Sequence, residues 1–591
     1  MDRNNLIGFS LIALLLFVYF TFFAPQPTPP APAPVTIADT AKAKTTQGPA
    51  TTSDTVLTSL FGIDSVALEQ VAVLENNDLR VEYNSRGGMM TRATLKGYKT
   101  YDGKPLELLT PGSSSFSLLA AFNGKESDLS NLVYSVTSDK SSDTSRIIFT
   151  AGSKDRLVRQ TWTLPAAGSV LGYQLETSGL LLTKENITLS WTNRMPLVEK
   201  DITDSRSKTA INFHTTADDT DGTSETSLDP ENMAIPAGTD WVGMKQKFFL
   251  SAILFSKGFS GGDIGTTVNP LDSQTVKTGT ARLLIPAQAV SGNSARFRFY
   301  LGPNDYKTLG EIAPGLESNV YLGWPPVKYV NQYFIVPVFR MLTGVTGNYA
   351  LIIIILVIVI RLVLLPLSYK SFLGMAKMRL LKPELDELKK KYPDDQMKFS
   401  QEQMKLFSEV GASPFAGCIP LLLQMPILFA MFYLFPSIIE FRQQTLPFAE
   451  DISTYDSVFS FPFTIPFLGS HLSIYTLLMT ISTLAITWQN NQLTTVDGPM
   501  KSLSYIMPVV FLFVLNSFPA SLSFYYLIGN IASFAQQILI KRFVDEEKIK
   551  VVMEEHRKKM QTSGSSKSPF MSKLNDALKA SEEARKKNKR G

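Results

Sequence analysis

The sequence predicts an α-helical polytopic membrane protein of six spans with a large all-β sandwich domain on its outer side, and three observations carry that prediction. The 591 residues are 44% apolar and only 18% charged, an oily balance for a soluble chain of this length. Apolar runs occupy residues 6–23, 349–368, 414–439, 472–488, 502–518 and 520–540, most of them close to the length that crosses about 30 Å of hydrocarbon. Lys and Arg are unevenly placed, with nine in residues 369–410, fifteen from 541 onward, and Arg442 alone in 440–471. By the positive-inside rule the first two regions are cytoplasmic and the third is outside. Six spans with both termini inside satisfy this pattern and put residues 24 to about 345 on the outer side. The net charge of +5 then reflects topology more than an affinity for nucleic acid.

Taken in order, the apolar run of the segment 1–24 follows Arg3 and closes on Phe22-Phe23-Ala24-Pro25, with no A-x-A cleavage site at its end and no lipobox cysteine behind it. It reads as an uncleaved signal anchor, a cleaved signal peptide being the alternative. Residues 25–55, Pro-rich and then rich in Thr, Ala and Ser, bury too little apolar surface to order themselves and read as a tether. From 56 to 322 short segments alternate apolar and polar, as in Leu79-Arg80-Val81-Glu82-Tyr83, Leu157 to Leu164 and Ala295 to Tyr300. Gly, Asn, Asp and Ser clusters separate them, the pattern of a large β-sandwich. The chain has one cysteine, Cys418, inside a predicted span, so burial alone must hold that domain together.

Residues 323–348 contain Trp324-Pro325-Pro326 and then Tyr329, Tyr333, Phe334 and Phe339, which predicts a short helix lying in the outer interface, a plain linker being the alternative. Residues 349–540 hold the five remaining spans. Between 371 and 410 they also hold a cytoplasmic helical hairpin, whose apolar seam runs through Met378, Leu381, Leu385, Leu388 and Tyr392, breaks at Pro393-Asp394-Asp395, and resumes at Met397, Met404, Phe407 and Val410. Pro383 should kink the first arm or mark a restart. The tail 541–591, with fifteen basic and eight acidic residues, predicts a short helix continuing from the last span and then disorder.

Little in the sequence points to enzymatic chemistry. There is no G-x-x-x-x-G-K-[ST] loop, so nucleotide hydrolysis is not expected. Three histidines, His214, His471 and His556, are scattered and only one cysteine accompanies them, which leaves no metal-ligand cluster and no reason to expect a cofactor. Gly258-Phe259-Ser260-Gly261-Gly262 matches G-x-S-x-G, but β-like sequence follows where a nucleophile elbow needs a helix, so it reads as a turn.

The informative residues are polar ones inside the membrane. Arg361 sits within Leu351 to Leu367, where a central arginine costs about 2.5–3.5 kcal/mol on insertion scales. Snorkelling to the cytoplasmic interface is one way to relieve that cost. Ser473, Thr476, Thr480, Thr483 and Thr487 fall on one face of the fourth span, and Tyr526, Asn530, Ser533 and Gln537 on one face of the sixth. The third span adds Gln424 and the fifth adds Asn516 and Ser517. Any one stripe is explained by helix–helix hydrogen bonding. Together with the arginine, they predict a shared hydrophilic groove. Such a groove lowers the barrier for an entering apolar segment, whose flanking polar and often acidic residues must otherwise cross hydrocarbon.

Over most of 324–541 the chain resembles the YidC/Oxa/Alb membrane insertase family. The resemblance rests on Met375-Ala376-Lys377-Met378-Arg379, on Gly417-Cys418-Ile419-Pro420-Leu421-Leu422-Leu423-Gln424-Met425-Pro426-Ile427, and on Phe518-Pro519 with Tyr525-Tyr526-Leu527-Ile528-Gly529-Asn530. It implies a non-enzymatic insertase and chaperone of the bacterial inner membrane, with a five-helix core and an Arg361-centred groove in which Tyr526 faces the client. It further implies that clients are nascent transmembrane segments, inserted with or without the Sec translocase and its SecD-type subunits, and that multispanning proteins and some lipoproteins are among them. The uncleaved first span and long outer domain look like the Gram-negative branch, whose periplasmic sandwich has the shape of a sugar enzyme.

Ribosome or lipid contact is expected through Lys377, Arg379, Lys389 and Lys390 of the hairpin and Lys586 and Lys587 of the tail, against the alternative that these charges only fix topology. Two rival readings exist. A secondary transporter requires an internal repeat that the five-span core does not show, and an anchored carbohydrate-binding sandwich leaves Arg361 and the threonine face unexplained.

Overall fold

The computed structural model describes residues 68–153, 156–217, 219–291, 295–393, 395–412, 419–493 and 499–562. The expected signal anchor and tether, Cys418 with the start of the third apolar run, and the end of the tail with Lys586 and Lys587 lie outside the described residues. The chain divides into two compact units.

The first unit runs to Tyr321 and also includes Ser437–Gln443. It is built from antiparallel sheets of nine, six and four strands. Period-two alternation makes the sheets: along Leu157–Pro165 the side chains of Val158, Gln160, Trp162 and Leu164 are buried while their neighbours are not. Opposite faces meet through aromatic rings. Trp162 lies 5.1 Å from Phe299 in the nine-stranded sheet, Trp191 stacks at 5.6 Å on Phe116 in the six-stranded sheet, and Phe116 meets Phe299 edge-on at 6.3 Å. This is the sandwich the alternation predicts. Two buried polar side chains of this seam are paired: Trp162 donates to the Gly88 carbonyl at 2.9 Å, and the Tyr173 hydroxyl donates to Gln160 at 3.1 Å. Gly258, Gly261 and Gly262 all take positive φ around Ser260, so the G-x-S-x-G match is a turn between strands.

Charge is also buried in this unit. Arg442, expected only as a loop charge, is buried, donates to Glu199 at 2.6 Å and to the Val198 carbonyl at 3.3 Å, and lies 5.2 Å over the Phe249 ring. Ile439 joins the sandwich core beside it. Elsewhere Asp204 sits between Lys208 at 3.0 Å and Lys247 at 2.7 Å. Burial pushes its carboxyl upward, but the two ammonium groups prevail and hold it below the ordinary carboxylate range.

The second unit holds ten helices among the described residues, numbered here in chain order. Helices α1 (Pro325–Val330) and α2 (Val336–Thr343) are joined by a π-helical segment, Asn331–Ile335. Two prolines fill the first turn of α1, where no donor is lost. Along this segment Tyr329, Tyr333 and Met341 are exposed while the Asn331 amide is buried and donates to the carbonyls of Leu322 and Ala430.

Helix α3 (Tyr349–Leu380) is capped by Asn348, which accepts from the Leu351 amide. It extends past the apolar run to Leu380, and α4 (Lys382–Lys391) then restarts with Pro383 in its first turn. Helix α5 (Gln396–Glu409) is capped by Asp395. The remaining helices are α6 (Ile419–Leu434), α7 (Ile474–Leu493), α8 (Pro499–Leu515), α9 (Ala520–Phe543) and α10 (Glu546–Thr562). Among the described helices α3 is the one both long and apolar enough to cross a membrane by itself.

The expectation of a tail helix continuing from the last span is corrected. Val544 takes an extended backbone after α9, and Asp545 accepts from the amides of Glu547 and Lys548 to start α10 as a separate helix. Ile549 and Met553 of α10 are buried in one cluster with Leu381, Leu385, Leu406 and Phe407, so α10 completes the seam of the α4/α5 hairpin.

Candidate functional site

Helix α3 buries Ile352, Ile353, Leu356, Val357 and Ile360, whereas Ile358, Leu362, Val363 and Leu365 are exposed. Arg361 lies between these faces and is half-buried. Its Nη2 donates to the Gly529 carbonyl of α9 at 3.0 Å. That carbonyl also accepts from the Ser533 hydroxyl at 2.8 Å, and a side chain built at Gly529 would meet the guanidinium at 3.7 Å. Among the described residues no carboxylate pairs with Arg361, although a guanidinium offers five donors.

The polar face of α7 meets the polar face of α9. Asn530 Nδ2 donates to the Ser482 hydroxyl at 2.8 Å and the Thr483 hydroxyl at 2.7 Å, with the Met479 carbonyl at 3.3 Å. Toward one end, Thr476 is fully buried, bonded to Ser523 at 2.9 Å and to the Leu515 carbonyl of α8 at 3.3 Å. Toward the other end, Gln537 donates to Asn490 at 3.1 Å. The Tyr526 hydroxyl donates to the Leu428 carbonyl at 3.1 Å, which ties α9 to α6.

The residues named from sequence therefore fall into groups. Arg361, Asn530, Ser533 and Thr483 come together at the middle of the α3, α7 and α9 faces, with Tyr526 alongside on α9. Thr480 is buried and donates to the Thr476 carbonyl of its own helix. Thr487 and Gln424 are half-buried. Asn516 is fully buried, accepts from the Ser473 amide and donates to the carbonyls of Leu468 and His471, so it ties down the loop at the start of α7. Sequence reasoning missed the Gly529 carbonyl, because periodicity counts side chains and glycine has none.

Near the Gln537 end, Gln489 Oε1, Gln536 Nε2 and Gln537 Oε1 are buried without a hydrogen-bond partner among the described residues, which buried polar atoms rarely are unless water reaches them. Of the hairpin cations, Arg379 pairs with Glu546 of α10, Lys377 donates to the Gly411 carbonyl at 3.3 Å, and Lys389 and Lys390 are exposed in the last turn of α4.

Two family models match the chain: "60Kd inner membrane protein" over residues 341–548 and "YidC periplasmic domain" over residues 72–336. The membrane protein insertase YidC of Amoebophilus asiaticus (strain 5a2) is 39% identical over 601 residues, covering 98% of this chain and 99% of that one. The chain belongs to the YidC membrane protein insertase family. The YidC of Cytophaga hutchinsonii is 41% identical over 99% of this chain and 98% of its own length. Membership makes this an inner-membrane insertase with a periplasmic β domain, acting on nascent membrane proteins without enzymatic chemistry. A crystal structure of an active YidC insertase with its first transmembrane domain resolved is 19% identical, covers 82% of this chain and 96% of that one, and gives a TM-score of 0.33. A galactose mutarotase-like protein from Lactobacillus casei covers 39% of this chain at 10% identity with a TM-score of 0.28. At such scores the likeness does not bear on function.

Proposed function

We propose that the Arg361, Asn530, Thr483 and Ser533 cluster is the polar floor of a groove that admits the flanks of an entering transmembrane segment. The observation that carries this reading is the guanidinium of Arg361: half-buried on an apolar helix, bonded to one carbonyl, and matched by no carboxylate among the described residues. A cation so placed attracts acidic flanking residues, and the hydroxyl and amide groups of α7 and α9 solvate them while the apolar face of the segment partitions into lipid. The buried amide atoms of Gln489, Gln536 and Gln537, without partners among the described residues, support water entry at that end.

In this reading α3, α6, α7, α8 and α9 cross the bilayer with the segment 6–23 as a further span, and both termini are cytoplasmic, as the Lys and Arg distribution favours. The energy comes from partitioning, with no nucleotide involved. The same groove serves clients delivered with or without the Sec translocase and its SecD-type subunits, including multispanning proteins and some lipoproteins. Exposed Lys389 and Lys390 support ribosome contact by the hairpin. The test is site-specific photocrosslinking to a stalled one-span client. Probes at Gln424, Thr487 and Tyr526 are expected to capture it and a probe at buried Thr476 is not; capture only from exposed positions of the β domain would overturn the groove.

A further inference from the structure

Residues 457–496 contain no Asp, Glu, Lys or Arg. They include the whole of α7, and also a β-hairpin of strands Phe459–Ile465 and Gly469–Leu472 that is separated from α7 by Ser473 alone. On the first strand Phe459, Phe461 and Phe463 fall on one side and Ser460, Pro462 and Thr464 on the other. Phe459 and Phe463 are 62% and 61% exposed, and the Phe461 ring sits 5.9 Å from that of Phe463. The ladder pairs Phe459 with Leu472 and Ser460 with His471, then loses register until Ile465. The phenylalanine stretch is thus held only at its ends.

The base of the hairpin, by contrast, is fixed. Asp456 is buried and accepts from the Ser473 hydroxyl and the Ile474 amide, both at 2.6 Å. His471 stacks on Tyr455 at 3.9 Å and bonds the Asn516 carbonyl at 3.0 Å. Asn516 bonds the hairpin carbonyls of Leu468 and His471. This network sets the height of the hairpin against the end of α7. A large exposed aromatic face on an edge hairpin is an aggregation hazard in water, and a protein-binding surface would be expected to carry a polar rim with some charge. Here an uncharged aromatic face on a fixed base leads directly into an apolar helix.

We propose that this hairpin is a lipid anchor whose Phe459 and Phe463 side chains insert among phospholipid acyl chains in the leaflet at the N-terminal end of α7. It rests on α7 crossing the bilayer, as read above. In the test, the full chain with Cys418→Ser receives a single spin-labelled cysteine by Phe463→Cys, Ser460→Cys or Ile481→Cys. Each is reconstituted in vesicles of phosphatidylethanolamine and phosphatidylglycerol, and collision rates are read with oxygen, which concentrates in hydrocarbon, and with a water-soluble nickel chelate. The label at 463 is expected to favour oxygen several-fold over the label at 460 and to approach the label at 481 on exposed α7 surface. Nickel access at 463 equal to that at 460 would overturn the anchor by placing the face in water. Protection at 463 from both reagents would overturn it in favour of a protein partner or second copy. Nickel access at 481 would instead sink the reading of α7 as a span. Phe459→Cys reads the same face if a label at 463 disturbs the hairpin.

Discussion

Asn530 shows how one side chain joins two helices in an apolar setting. Its amide nitrogen faces two hydroxyls and a carbonyl of α7. Asn530→Leu keeps the volume and removes the donors, so it should lower stability by about 1–2 kcal/mol; a reduced thermal midpoint of the detergent-purified protein is the expected result. Spacing alone made Asn530, Ser533 and Gln537 legible as one face of a helix, and Arg361 was legible because a charge in such a run is rare. What periodicity did not reveal is which polar groups are already engaged. Thr476 and Asn516 look like groove residues in the sequence, yet both are fully buried against partners. Those partners, Ser523 and a hairpin carbonyl, become visible only when distant segments meet. The Gly529 carbonyl beside Arg361 is invisible to any pattern of side chains.

At the scale of elements, the apolar runs and turn chemistry located the helices better than the connections between them. Pro383 restarts the chain as α4 because proline is tolerated in a first turn and not within a helix. The tail helix was misread as a continuation of α9. Its own signal was present in Asp545 as a cap and in Ile549 and Met553 four apart, but a charge-dense segment conceals a narrow apolar stripe. Because Met553 is buried with Leu381 and Leu385, Met553→Asp puts a charge into that cluster, where its desolvation costs several kcal/mol. Limited proteolysis should then cut near Pro393 faster than in the unmodified protein, while Val552→Asp, at a position 51% exposed, should leave the rate unchanged.

On the scale of the whole molecule, two chemistries of burial share one chain. The β unit, with no disulfide available from a single cysteine, holds its sheets by an aromatic seam and accepts a buried Arg442–Glu199 pair that draws Ser437–Gln443 into it. That pair was illegible in sequence because its partners stand 243 residues apart. The helical unit does the reverse, exposing apolar surface and enclosing polar groups, as a protein solvated by lipid should. The claim that joins its parts is that Arg361 acts on the charge of the client. The direct measurement compares insertion into proteoliposomes of two one-span clients, one with an acidic translocated tail and one with a neutral tail, by the unmodified chain and by Arg361→Ala. Selective loss of the acidic client, by tenfold or about 1.4 kcal/mol in barrier, is the predicted result. Equal insertion of both clients by the variant would contradict it and leave Arg361 as a helix-packing residue bonded to Gly529.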